Sequence, residues 1–161
     1  MKKAVKLVVT IMLLSATVLS ATSCGAISNL LNKNKEAEFY DTVLESKELL
    51  DDLADDIYRN WYDAIYSDAF NGDINEAIAE AYEAHEEDLE KIYANDTQIT
   101  ELYKYIRDGK LKSEAKNVMD AYNEYFTVVV ECSGSFNDYS GEKEPAKKAL
   151  ASALKDYYVA Y

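Results

Sequence analysis

Cys24 is the residue whose chemistry is most open. A thiol can be buried, bridged or acylated, and this one stands at the end of Leu19-Ser20-Ala21-Thr22-Ser23-Cys24, just behind an apolar run, in a chain with two cysteines. The small residues Ala21 and Ser23, third and first before it, suit a signal peptidase that cuts before Cys24. Tyrosine is the second feature, with 14 in the chain against four phenylalanines and one tryptophan. Tyr58, Tyr62 and Tyr66 recur at four-residue steps, so they share one face if the segment is helical, and Tyr122, Tyr125 and Tyr157 add further rings. Tyrosine has an apolar body and a polar tip. Such a set either lines a groove for a small ligand or peptide, or surrounds a core with its hydroxyls turned to water.

Other chemistries lack their parts. His85 is the only histidine, and the paired-histidine iron sites of helical bundles and the His-Glu-x-x-His zinc helix each need two. A Ser-His-Asp hydrolase would have to use His85, yet the chain has no Gly-x-Ser-x-Gly turn. The segment 133–141, Ser-Gly-Ser-Phe-Asn-Asp-Tyr-Ser-Gly, lacks the spacing of a phosphate loop. Placing Gly72 at the sixth position of a calcium loop puts Ser67 first and Ile78 twelfth, where acids are required. The acid clusters Asp51-Asp52-Asp55-Asp56 and Glu86-Glu87-Asp88-Glu90 read as solvated helix faces. No catalytic set, metal site or cofactor is expected.

The segment that presents Cys24 begins with Lys2, Lys3 and Lys6 and no acid, then runs Leu7 to Leu19 through mostly apolar residues. That run falls short of the roughly 20 residues needed to cross a bilayer. Basic start, apolar core and small-x-small-Cys together resemble the signal of bacterial lipoproteins. The resemblance covers residues 1–24 and implies that Cys24 receives a diacylglycerol, becomes the mature N-terminus and anchors the chain to the outer face of the bacterial cell membrane. Two or more acyl chains hold firmly where one binds reversibly. An ordinary cleavage after Ser23 would leave the same N-terminus on a secreted protein. The remainder is similar to small helical envelope lipoproteins, a class that implies a location but no activity.

Removing residues 1–23 leaves 14 basic against 30 acidic residues, a net charge of −16. Such a chain repels phosphate backbones, so nucleic acid is excluded as a partner, and a basic membrane patch is not expected. The expected partners are the membrane, through lipid on Cys24, and an envelope protein or small ligand. With Cys24 acylated, Cys132 has no partner within the chain. It reads as a small buried residue.

The elements follow from period. Residues 24–35 carry no sustained pattern and are expected to form a lipidated N-terminus and tether. Residues 36–161 form one domain. Val43, Leu50, Leu53, Ala54, Ile57, Trp61 and Ile65 recur at steps of three and four, which is a helix stopping at Asn71-Gly72. Asp73 with Glu76 makes a capping box for a second helix, near-continuous to Asp108-Gly109 with an interruption at Asn95-Asp96-Thr97. A third helix is expected from Lys110–Ser113 through Cys132 and Phe136 to Tyr139, with Gly134 as a kink. A last helix from about Glu142, with Pro145 in its first turn, is half as long as the first two. The whole is expected to be all-α, an antiparallel bundle of about four helices, two long and the last short, leaving a groove beside the short member.

Overall fold

The computed structural model describes residues 24–67 and 69–161, with side chains from Asn32 onward. The expected signal segment 1–23 lies outside the described residues, and of Cys24 only the backbone is described. The chain divides into two units, residues 1–33 and 34–161, and the second contains the core.

Among the described residues the fold is all-α. Helix α1 spans Cys24–Tyr66, α2 Ile74–Ala84, α3 Glu86–Tyr103, α4 Lys110–Val130 and α5 Phe136–Ala160. The expected tether is thus helical. From Ala26 to Lys35 the sequence has no glycine or proline to stop a helix, and asparagine and lysine tolerate one.

The apolar stripe of α1 is buried as expected, including Val43, Leu50, Leu53, Ala54, Ile57 and Trp61, while Ile65 is exposed. The exit from α1 is a short 3-10 turn, Ala69–Gly72, in which Phe70, Asn71 and Gly72 all have left-handed φ of 55°, 49° and 78°. Glycine takes that conformation without strain and asparagine tolerates it; phenylalanine does not. Asp73 then caps α2 by accepting the amides of Asn75 and Glu76. Its own amide donates to the Phe70 carbonyl at 2.8 Å, so the reciprocal half of a capping box is taken up by the turn.

Two breaks fall elsewhere than expected. Between α2 and α3 the helix is interrupted at His85 (φ −112°, ψ 25°), and Asn95-Asp96-Thr97 continues α3 without a notch. Between α4 and α5 it is interrupted at residues 131–135, where Gly134 takes φ 88° and Ser135 and Asp138 form a capping box in which each side chain accepts the other's backbone amide. Gly141 and Pro145 therefore lie inside α5. That helix has 25 residues, longer than α4 at 21 and shorter than α1 at 43. Thr127-Val128-Val129-Val130 is helical despite its β-branched run, because Val129 sits in the core on the stripe of Val118, Tyr122 and Tyr125.

Candidate functional site

The six tyrosines proposed as a groove separate into two sets. Tyr122, Tyr125 and Tyr157 have no exposed surface, and their hydroxyls are spent inside the fold. Tyr122 shares a 3.0 Å hydrogen bond with the Ser46 hydroxyl, Tyr125 donates to Asp51 at 2.8 Å, and Tyr157 donates to the Glu36 carbonyl at 2.9 Å. Tyr139, read only as the tail of the third stripe, belongs with them and donates to the Ala54 carbonyl at 3.0 Å. Tyr82 does the same between α2 and α4, reaching the carbonyls of Val129 and Val130. Burial pushes all five hydroxyls above the ordinary tyrosine value, and the Asp51 carboxylate adds to the effect at Tyr125. They stay neutral across physiological pH.

Tyr58, Tyr62 and Tyr66 form the second set. Their rings follow one another at 6.3 and 4.7 Å, and Phe136 lies within 5.2 to 6.4 Å of all three. Tyr62 and Tyr66 are exposed. Beneath them Trp61 packs edge-on to Phe136 and beside Tyr139, and its buried Nε1 has no hydrogen-bond partner. The second set is therefore a surface cluster on a packed base, remote in role from the first. A third aromatic group, where residues 37–41 of α1 meet the C-terminal turn of α5, lines a cleft of about 120 Å³ between Tyr40, Tyr157, Tyr158 and Tyr161.

His85 is a bracket at the helix break. Its Nδ1 lies 3.2 Å from Asp88 Oδ2 and its Nε2 3.1 Å from Asp56 Oδ2, so one imidazole ties α3 to α1. The same bond, then Lys91, holds the Asp88 carboxyl below its ordinary range. Lys143 is buried and spans from α5 to Asp55 at 2.7 Å with its ammonium over the Tyr58 ring. Asp51 gathers Lys47 and Lys147 besides Tyr125. Cys132 is half-buried and unbridged, with its thiol pushed up to about 11 by burial.

The sequence marks Glu36 only as the first residue of the domain. It has no exposed surface, and Arg107 grips it with Nε and Nη2 at 2.6 and 2.8 Å and with its backbone amide at 3.2 Å. Seventy-one positions separate the two, and nothing local marks either residue. Among the described residues no cluster of three or more histidine, cysteine and acidic side chains could hold a metal ion, and no helix is long and apolar enough to cross a membrane. No protein-family model matches the chain, and neither the curated proteins nor the solved structures compared with it give a match.

Proposed function

We propose that the chain is a lipid-anchored helical module on the outer face of a bacterial membrane, serving structure or protein interaction in the envelope rather than catalysis. The observation that carries this reading is where the polar groups of the other elements point. Tyr122 and Tyr125 from α4, Tyr139, Tyr157 and Lys143 from α5, Arg107 before α4, and His85 before α3 all end on residues 36–56 of α1. Groups that could otherwise do chemistry are committed to fastening the fold to the helix that follows Cys24.

The same pairings favour a four-membered antiparallel bundle. Along α1, residues 36, 56 and 60 meet 107, 85 and 77, a falling order that makes α2 with α3 one bent member running against α1. Residues 46 and 51 meet 122 and 125 in rising order on α4, and 36, 51 and 54 meet 157, 147 and 139 in falling order on α5.

Chemical crosslinking in intact cells, followed by purification of the tagged protein from the membrane fraction, tests the interaction role. A defined envelope protein enriched over an untagged control is expected; identical recoveries would contradict it. A second reading, a small-ligand or peptide-binding lipoprotein, is favoured by Trp61 Nε1, buried without a partner under the exposed Tyr62 and Tyr66. Ligand-dependent change in the fluorescence of this single tryptophan would distinguish it.

A further inference from the structure

The acidity of residues 34–161 is unevenly spread. Glu36 meets Arg107 and Tyr157, Phe39 packs against Tyr103 and Tyr157, and Lys112 lies over the Tyr103 ring, so residues 35–38, 101–116 and 155–161 share one end. Those ranges hold seven basic and six acidic residues, with Asp41 beside Tyr158 and Tyr161 and Asp120 paired with Lys116 at their edge. The remainder, residues 39–100 and 117–154, holds six basic and 24 acidic residues. The near-neutral end also exposes Tyr105, Tyr158 and Val159, at 52, 64 and 73%. It is where the chain enters the folded unit, at Asn34.

Exposed tyrosines beside lysines and an arginine are what a membrane–water interface favours. Aromatic rings settle at headgroup level, long basic side chains lay their stems along apolar surface with their charges in water, and anionic headgroups repel acidic faces. We propose that this end faces the lipid surface, with the acidic body of the domain turned away from the membrane. The opposite end also exposes Tyr62 and Tyr66, but with Asp55, Asp56 and Asp63 on the same stretch of α1. Aromatic surface alone therefore does not choose between the ends; charge does. A near-neutral patch is too weak to recruit the protein by itself, and the tether supplies the local concentration that makes a weak contact persistent.

The proposal rests on the lipid-anchor reading and is tested without the lipid. Residues 24–161, with Cys24→Ser, Cys132→Ser and an N-terminal hexahistidine, are held on phosphatidylcholine vesicles containing a nickel-chelating lipid. An environment-sensitive fluorophore is placed through Tyr158→Cys or Tyr66→Cys, both exposed positions, and circular dichroism confirms that the helices are intact. Nitroxide-labelled lipid should quench the probe at 158 about twofold or more over the probe at 66. Added phosphatidylglycerol should widen the difference, and Lys110→Glu with Lys155→Glu should narrow it. Equal quenching, stronger quenching at 66, or indifference of position 158 to phosphatidylglycerol would overturn the proposal. Because the histidine tether replaces the acyl anchor, such a failure leaves the acylation of Cys24 untouched, and that is read separately by fatty-acid labelling.

Discussion

The carboxylate of Glu36 and the guanidinium of Arg107 meet in a two-pronged ion pair, Nε to Oε1 at 2.6 Å and Nη2 to Oε2 at 2.8 Å, with the carboxylate wholly buried and the guanidinium half in solvent. Removing one partner of such a pair leaves a buried charge unsatisfied. Arg107→Ala is therefore expected to lower the thermal midpoint clearly more than Lys116→Ala, which breaks an exposed pair with Asp120. Glu36→Gln should fall between them. Circular dichroism melts of the three variants check the order.

The hydroxyls that fasten α4 and α5 to α1 give a graded series. Tyr125→Phe, Tyr139→Phe and Tyr157→Phe each remove one hydrogen bond while keeping the ring, and each should cost about 1 kcal/mol in urea unfolding. Tyr139→Ala, which also empties space beside Trp61, should cost about 3 to 5 kcal/mol.

Two glycines should respond with opposite signs. Gly134 has φ 88° and a Cβ there would come within 3.4 Å of Asp138 Oδ2, so Gly134→Ala should destabilise by about 1 to 2 kcal/mol. Gly141 lies within α5 with open space around it, so Gly141→Ala should stabilise by about 0.5 to 1 kcal/mol. Had α5 begun after Gly141, the signs would be reversed.

Burial holds the proton on Cys132 and on Tyr82, raised from 9.0 to about 11 and from 10.0 to about 12. A raised folded value means that the stabilisation is complete below the unfolded value and is lost as pH rises through the folded one. Stability should fall between about pH 9 and 12, and Cys132→Ala should soften the lower part of that fall. The thiolate of Cys132 is about a hundredfold scarcer than at an ordinary cysteine near pH 8, and its greater nucleophilicity returns about tenfold, so reaction with an aromatic disulfide should be about tenfold slow until the protein unfolds.

The helical class was legible because the stripe of α1 is long and regular, and burial matches it from Val43 to Trp61. The breaks were less so. Gly134 and Gly141 are equally good stops by composition; Ser135 and Asp138 decide between them, a local signal present in the sequence and outweighed there by Pro145. The break at His85 is only half local: its bond to Asp88 lies three positions on, while its bond to Asp56 comes from 29 positions away. For the same reason the abundance of tyrosine was plain while its division was not. A ring on a helix face points to the core or to water according to whether a carbonyl such as that of Ala54 or Glu36 waits opposite, and that is a matter of packing.

The account turns on the lipid at Cys24, and metabolic labelling with an alkyne fatty acid measures it directly. The wild-type chain should take up label and sediment with membranes, while Cys24→Ala should take up none and be released. Equal labelling of the two, or an unlabelled wild type recovered free of membranes, would contradict it.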